Sequence, residues 1–276
     1  MRVAGLLPIA VCLAAAAPAQ QAEVAAFRWT GTPTQGGLIA GTVPTGSVTV
    51  TLDGQPIAVE AGRFIAGFDR DAGSQAVLVA TLDDGRRITQ PLAVAPRAWR
   101  IERLDTLPKF PAPDPVMAQL RPAELARIAA ARAEVTDATG WRQAFRWPAI
   151  GRISGLFGAQ RIYRGEPGSY HSGIDIARPT GTPVVAPADG VVILAADHPF
   201  TLEGNLLMID HGHGLNSAFL HLSRIDVRVG DHVRQGDPIG AVGATGRATG
   251  PHLHWSLRWR DARLDPLLVA GAMPGA

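Results

Sequence analysis

The chain has 276 residues, of which 46% are hydrophobic and 18% charged, a composition that supports one large or two medium packed domains and excludes wholesale disorder. Its 26 basic and 24 acidic side chains leave a formal net charge of +2, which is too small to indicate nucleic-acid binding. Cys12 is the single cysteine, so no disulfide framework or cysteine zinc site can form within one chain. Lys109 is the single lysine, which excludes functions that need a catalytic or lipoylated lysine elsewhere.

Residues 1–19 have the features of a secretory signal peptide. A positive start precedes an apolar stretch over residues 6–17 that is too short to span a bilayer, and Ala17-Pro18-Ala19 fits the A-x-A cleavage pattern. We therefore expect a mature chain that begins near Gln20 and lies in a bacterial periplasm or at the cell surface, with no stable membrane span after cleavage. Lipidation at Cys12 is less favoured, because the residue before it is not small.

Residues 24–104 have the pattern of an all-β domain. Short apolar runs alternate with turn signals such as Asp53-Gly54 and Asp84-Gly85. A spacing of about ten residues between turns predicts an immunoglobulin-like β-sandwich. The segment contains no histidine, which favours a spacer or binding module over a chemical role. The apolar or β-branched side chains at alternate positions are Val48, Val50 and Leu52, and Val77, Val79 and Thr81.

Residues 105–146 are predicted to connect this domain to the rest of the chain. Four prolines stiffen the part up to residue 121 and argue against a strand or a helix there. Pro122 is then expected to open a helix that runs to Val135, because proline is tolerated at the first helical position. A helix that packs against the chain is favoured over one that binds a partner. The side chains expected on one face of this helix are Leu125, Ile128 and Arg132.

All eight histidines follow residue 170, which marks residues 147–270 as the part of the chain that carries chemistry. Strand periodicity places His252 and His254 on one face, opposite an apolar face, and neutral imidazole is a common zinc ligand. His171 and Asp175 add one nitrogen and one oxygen. Together with one histidine of the His252–His254 pair, they form a set of two histidines and a carboxylate, which suits a catalytic zinc site with an open fourth position.

Two structural alternatives bear on this assignment. From the spacing of this segment alone, the favoured interpretation would be that Asp175 caps a turn and His171 is an exposed loop residue. The occurrence of both residues together with the other histidine segments favours a metal site instead. The segment His211-Gly212-His213 has the same spacing as the later pair. It follows an apolar run and is flanked by glycine, so a turn position with a structural role is favoured for both histidines.

Residues 147–268 resemble the lysostaphin/LytM-type zinc metallopeptidase family. The resemblance implies a compact antiparallel β-domain with one zinc ion per chain in an open groove. It further implies that the zinc ligands are His171, Asp175 and His254, and that His221 and His252 are catalytic and share the acid and base roles, with the division between them left open. The motifs that carry the resemblance include Gly151-Arg152-Ile153-Ser154-Gly155-Leu156-Phe157-Gly158, His171-Ser172-Gly173-Ile174-Asp175, Ile209-Asp210-His211-Gly212, His221-Leu222-Ser223 and Gly250-Pro251-His252-Leu253-His254.

One position departs from the family pattern. Phe219 stands where many members carry tyrosine, and we expect this difference to remove a hydroxyl near the site but no essential group.

The resemblance implies an exported zinc metalloendopeptidase that hydrolyses peptide cross-links of bacterial peptidoglycan, with stem peptides as its substrate. The alternative is a non-catalytic envelope regulator that binds and activates cell-wall amidases. Such relatives characteristically lack zinc ligands, whereas this chain retains all of them, so the enzyme is favoured. The N-terminal domain would contact an envelope protein or control access to the groove, and removal of residues 20–146 is then expected to raise activity.

Overall fold

The computed structural model describes residues 26–106 and 115–275. The predicted signal peptide, with Cys12, and most of the predicted proline-rich linker, with Lys109, lie outside the described residues. The prediction of a mainly β chain is confirmed. Neither of the α-helices in the described ranges combines the length and the apolar character that crossing a membrane requires.

The N-terminal part contributes two antiparallel sheets, in the orders β1-β2-β5 and β4-β3-β6-β7. The turn between β3 and β4 has Asp53 and Gly54 in the left-handed region, with φ of 49° and 79°, as an Asp-Gly hairpin turn requires. The strands of this part are β1 (Arg28–Thr30), β2 (Leu38–Thr42), β3 (Ser47–Leu52), β4 (Gln55–Pro56), β5 (Arg63–Gly67), β6 (Gln75–Leu82), β7 (Arg87–Ala93) and β8 (Ile101–Leu104).

The alternation predicted for β3 and β6 is present. In β3 it buries Val50 and Leu52, whereas β6 buries the face opposite to the predicted set. In β6 the predicted residues Val77, Val79 and Thr81 are only half-buried, whereas the side chains between them are buried. Three of the buried side chains, those of Ala76, Leu78 and Ala80, belong to the same core cluster as Phe64 of β5. In β3 a register shift at Val48 leaves that side chain exposed. The buried side chains of β6 are Ala76, Leu78, Ala80 and Leu82.

Helix α1 (Pro115–Ala133) differs from its predicted boundaries. It begins at Pro115, and Pro122 lies inside it, so the prediction that Pro122 opens the helix is wrong. Pro115 is tolerated because the N–H that it lacks would be unpaired at the first helical position. Ile128 and Ala131 pack into a buried cluster with strand residues of the C-terminal part, and this packing offsets the hydrogen bond lost at Pro122.

The C-terminal part is built on an eight-stranded sheet in the order β18-β14-β15-β16-β20-β12-β9, with β21 paired to β20. A second sheet has the order β13-β19-β17, and a third joins β8 of the N-terminal part to β10 and β11. A 3₁₀ turn over Gly140–Arg142 precedes these strands. Their bounds are β9 (Arg152–Gly155), β10 (Gln160–Tyr163), β11 (Glu166–Pro167), β12 (Ile174–Ala177), β13 (Pro183–Val185), β14 (Gly190–Ala195), β15 (Asn205–Asp210), β16 (Leu215–Leu222), β17 (Arg224–Ile225), β18 (His232–Val233), β19 (Pro238–Ala241), β20 (His252–Trp259) and β21 (Ala262–Leu264), followed by helix α2 (Pro266–Ala270).

The two parts of the chain share one hydrophobic core. The same buried cluster contains Phe64 from the N-terminal sheets and Trp255 and Trp259 from β20. The buried guanidinium of Arg70 donates two hydrogen bonds to the carbonyl of Gly158, with N···O distances of 3.2 and 3.0 Å. The N-terminal sheets therefore pack directly on the C-terminal part and support the back of the large sheet.

Candidate metal centre

Strand pairing sets Asp175 and His254 opposite each other at the candidate site. They are direct partners in the antiparallel pair of β12 and β20, so their side chains lie on the same face of the sheet. Asp175 Oδ1 is 2.8 Å from His254 Nδ1. The other face of β20 is apolar and buried, as the sequence pattern predicts. Its side chains are Leu253, Trp255, Leu257 and Trp259.

His171 reaches the same point from the loop before β12. Its backbone N–H donates to the carbonyl of Ala159 over 2.8 Å, which fixes the loop. Its Nε2 lies 3.0 Å from Asp175 Oδ1 and 3.0 Å from His254 Nδ1. Three ligand atoms from two strands and a loop thus converge within 4.8 Å of one another.

The chemistry of these atoms fits a bound zinc ion. The Nδ1 of His171 donates to the carbonyl of Leu156 over 3.0 Å, so the Nε2 of the neutral ring presents a lone pair to Asp175. A nitrogen lone pair and a carboxylate oxygen that are 3.0 Å apart repel each other unless a proton or a cation lies between them. A tetrahedral zinc ion with bonds of roughly 2.0–2.1 Å places its ligand atoms about 3.3 Å apart, close to the spacing found.

Electrostatics keep the carboxylate ionised. Burial alone would raise the pKa of Asp175, but protons held between its carboxylate and the rings of His171 and His254, together with the positive charge that these protons bring, hold that pKa well below its usual range. Burial alone would lower the pKa of His171, and the hydrogen bond to Asp175 together with the charge of that residue raises it above its usual value. Burial lowers the pKa of His254. Asp175 is therefore available as an anionic ligand throughout the physiological pH range.

Two glycines allow the ligands to approach this closely. A Cβ atom on Gly155 of β9 would lie 2.2 Å from Asp175 Oδ2. A Cβ atom on Gly173 would lie 2.5 Å from the carbonyl oxygen of Trp255 and 2.7 Å from His254 Nε2. Any larger residue at either position would displace a candidate ligand.

His221 lies beside the candidate ligands, near the end of β16. It has a φ of 63°, and its backbone N–H donates to the carbonyl of Glu203 over 2.8 Å. Its Nδ1 donates to the carbonyl of Thr245 over 2.8 Å, which leaves Nε2 with a lone pair. Burial lowers the pKa of His221 to about 4, and the nearby His252 and His254 lower it further toward that value. The ring is therefore neutral at pH 7.

His252 completes the group. Its Nδ1 donates to the carbonyl of Gly250 over 2.8 Å, and its Nε2 is 3.8 Å from Asp175 Oδ1. Its ring centroid is 4.8 Å from that of His221. The structure thus brings together all the side chains that the sequence singled out for the site. The backbone carbonyls that orient the rings were not predicted, because any residue type supplies a carbonyl.

The other histidine pair has a structural place. His211 is fully buried, its Nδ1 donates to the carbonyl of Asp189 over 2.8 Å, and its Nε2 is 2.8 Å from the hydroxyl of Ser217. Burial lowers the pKa of His211 to about 4. His213 stacks on Trp141 with ring centroids 3.9 Å apart. Both side chains pack away from the candidate ligands, in agreement with the structural interpretation.

The expectation for Phe219 is wrong. Phe219 pairs with Trp255 across β16 and β20, and both side chains are fully buried in the main core. Leu220, the next residue, pairs with His254 and faces the site. Because side chains alternate along a strand, a tyrosine hydroxyl at position 219 would enter the core behind the site and would not reach the metal ligands.

Comparison with known proteins assigns the fold to a family. The profile of peptidase family M23 matches residues 169–266. A crystal structure from Pseudomonas aeruginosa that is assigned to the same family superposes with a TM-score of 0.66 and 30% identity, covering 87% of this chain and 95% of that one. The chain belongs to peptidase family M23. The M23 assignment covers the segment that holds every candidate ligand.

Two curated relatives extend this M23 assignment. Peptidoglycan DD-endopeptidase ShyA of Vibrio cholerae is 44% identical over 110 residues, which are 38% of this chain and 24% of the relative. The DD-carboxypeptidase/endopeptidase Mpg of Neisseria meningitidis is 42% identical over 127 residues, which are 45% of this chain and 28% of the relative. The matched region of this M23 peptidase spans about a quarter of the length of these relatives.

Proposed function

We propose that the chain is an exported zinc metalloendopeptidase that hydrolyses peptide cross-links of bacterial peptidoglycan. One zinc ion per chain would be held by His171, Asp175 and His254. The convergence of these three ligand atoms within 4.8 Å carries the proposal. The named activities of ShyA and Mpg, which are 44% and 42% identical to this chain over the matched region, support the choice of substrate.

The reaction would combine metal and histidine chemistry. A zinc ion bound at these residues supplies a Lewis acid that polarises the scissile carbonyl and lowers the pKa of a water molecule to about 7. His221 and His252 each present Nε2 because their Nδ1 atoms are committed to backbone carbonyls. One ring accepts the proton of the attacking water. The other ring, protonated on both nitrogens, donates from Nε2 to the developing oxyanion or to the leaving amine.

The cellular setting follows from the predicted leader and the substrate class. An arginine-rich, lysine-poor exported chain favours a Gram-negative periplasm, where the D-Ala–diaminopimelate cross-link is the bond that we propose is cleaved. We also propose that the two N-terminal sheets form an immunoglobulin-like sandwich that supports the peptidase domain and offers a surface to an envelope protein.

The alternative is a non-catalytic activator of cell-wall amidases. Relatives of that kind lack zinc ligands, whereas this chain has the ligand atoms of His171, Asp175 and His254 in one cluster and two further histidines beside them. A regulator would have no use for this arrangement, so the enzyme is the better proposal.

The test is cleavage of a soluble cross-linked muropeptide dimer by the zinc-loaded chain, followed by mass spectrometry. We expect the wild type to release monomers. We expect Asp175→Ala to lose both zinc and activity, because it removes the anionic ligand. His221→Ala should keep stoichiometric zinc and lose turnover by roughly 10²–10⁴-fold, the usual contribution of a general acid or base.

Two results would contradict the proposal. Absence of cleavage by a wild-type chain with bound zinc would argue against an endopeptidase. Equal loss of zinc in Asp175→Ala and His221→Ala would argue against the division between ligands and acid–base residues.

A further inference from the structure

A cleft of about 250 Å³ opens directly beside the candidate metal centre. His254 and Ser172 line the end that adjoins the ligands, and α1 forms one wall. The helix presents a stripe with helical spacing to this cleft, which contains the predicted face and extends it by Arg121. The residues of the stripe are Arg121, Leu125, Ile128 and Arg132.

The charged residues that line this cleft are mostly arginines. Its lining contains Arg121, Arg132, Arg258 and Arg263 but one carboxylate, that of Glu203. Arg121 binds Glu203 through two hydrogen bonds, of 2.5 and 2.7 Å, so the carboxylate is already occupied. Arg258 pairs with the exposed carboxylate of Asp261, which does not line the cleft, over 2.8 Å. Arg132 and Arg263 have no carboxylate partner within the cleft lining, so its arginines outnumber the carboxylates that pair with them.

Arg132 is the least satisfied of these arginines. Its Nε is buried and has no hydrogen-bond partner among the described residues. Burial, together with the positive charges of Arg258 and Arg263, lowers the pKa of Arg132 to about 10. A buried N–H without an acceptor is unfavourable, because it has lost its hydrogen bond to water and gained none in the protein.

The cleft follows the direction that a bound peptide would take along β20. His254, Ser256 and Arg258 alternate on one face of this strand, and all three line the cleft. With a rise of about 3.3 Å per residue, Ser256 lies about 7 Å and Arg258 about 13 Å from His254. These distances correspond to about two and four residues of an extended substrate.

We propose that Arg132 binds a free carboxylate of the substrate peptide at the end of the cleft that Arg258 lines, away from His254. This inference rests on the proposed endopeptidase function and adds a preference for anionic over neutral peptides. Guanidinium and carboxylate groups pair through parallel hydrogen bonds, which supply orientation as well as affinity. The subsite would hold the cross-link in register with the metal centre.

The test compares soluble cross-linked muropeptide dimers whose carboxylates are free with dimers in which they are converted to amides. We expect the wild type to cleave the free acid with a kcat/KM at least about 10-fold higher, mainly through KM, as expected for a charged hydrogen bond. Arg132→Gln should lose this preference by lowering cleavage of the free acid alone. Amidation of the diaminopimelate and terminal D-Ala carboxylates one at a time identifies the group that is bound.

Arg127→Gln is the matched control, because Arg127 lies on the same helix but is exposed and pairs with Asp197. It should leave the preference unchanged. Dissociation constants of the same dimers, measured with the non-cleaving Asp175→Asn chain, separate this inference from the proposed function. If this variant binds the acid preferentially but the zinc-loaded wild type cleaves neither dimer, the subsite is upheld and the endopeptidase function is overturned. Equal binding and cleavage of acid and amide, or equal effects of both arginine variants, would overturn the subsite.

Discussion

Backbone carbonyls fix the tautomers of the histidines at the site. The Nδ1 atoms of His171, His221 and His252 each face a carbonyl oxygen at 2.8–3.0 Å, and a carbonyl can only accept a hydrogen bond. Each ring therefore turns Nε2 toward the centre of the site. Residue identity alone cannot predict this orientation, because it depends on loops that bring carbonyls from distant positions.

His211 gives a prediction about stability and pH. Its pKa in the folded chain is about 4, below an unfolded value of about 6.5. A depressed histidine pKa stabilises the fold above pH 6.5, and this contribution is lost as pH falls toward 4. We expect the free energy of unfolding, measured with urea, to fall between pH 7.5 and pH 5 by about 2 kcal/mol more in the wild type than in His211→Gln.

Glutamine is the suitable replacement, because its amide can still donate to the carbonyl of Asp189 and meet the hydroxyl of Ser217, which bracket the imidazole in the wild type. The comparison of the two chains removes contributions from the other histidines. An equal loss of stability in both chains would show that His211 is not the group that titrates.

Among the elements, the pairing of β12 with β20 defines the ligand set. The two faces of β20 were predicted correctly from the sequence. In a strand, side chains alternate, so the polar residues of this run must lie on one face and its large apolar residues on the other. The sequence could not predict that Asp175 and His254 are direct partners, since register depends on pairing between segments that are 79 positions apart.

The strand β9 constrains the position of the Asp175 carboxylate. A Cβ atom at position 155 would lie 2.2 Å from Asp175 Oδ2, so Gly155→Ala should push the carboxylate away from the histidines. We expect zinc affinity to fall by at least about 10-fold, as happens when ligand orientation is disturbed. Competition with a chromophoric chelator measures this affinity.

Gly250→Ala is the control, because a Cβ atom at position 250 meets no atom within 4 Å although the residue adjoins the site. It should bind zinc like the wild type. Similar affinities for the Gly155→Ala and wild-type chains would show that β9 does not constrain Asp175.

Helix α1 shows where local sequence signals fail. Prolines argue against a helix over residues 115–121, yet the helix includes them because Ile128 and Ala131 are buried against the large sheet. The buried carboxylate of Glu124 adds hydrogen bonds to the backbone N–H and the hydroxyl of Thr201, both of 2.6 Å. Tertiary contacts of this kind have no signature in the sequence around the prolines.

In the whole molecule, the shared core predicts cooperative unfolding. Phe64, Trp141 and Trp255 belong to one buried cluster that spans the N-terminal sheets, the connector and β20. We expect a single calorimetric transition for the chain from residue 20 onward. Removal of residues 20–146 takes Trp141 and Phe145 out of that cluster, so we expect the truncated chain to melt at a lower temperature. The same truncation removes α1 and thereby opens the cleft.

Two separate transitions, or an unchanged midpoint after truncation, would show that the N-terminal sheets are an independent module. The prediction that truncation raises activity is therefore best assayed below the melting point of the truncated chain. At such a temperature, access to the cleft is separated from loss of the fold.

The proposed function depends on a zinc ion held by His171, Asp175 and His254. The most direct measurement is the anomalous scattering of a zinc-loaded crystal at the zinc absorption edge. We expect one strong peak per chain, bounded by His171 Nε2, an Asp175 carboxylate oxygen and His254 Nδ1. A peak bound instead by His221 or His211, or no peak among the three proposed ligands, would contradict this expectation.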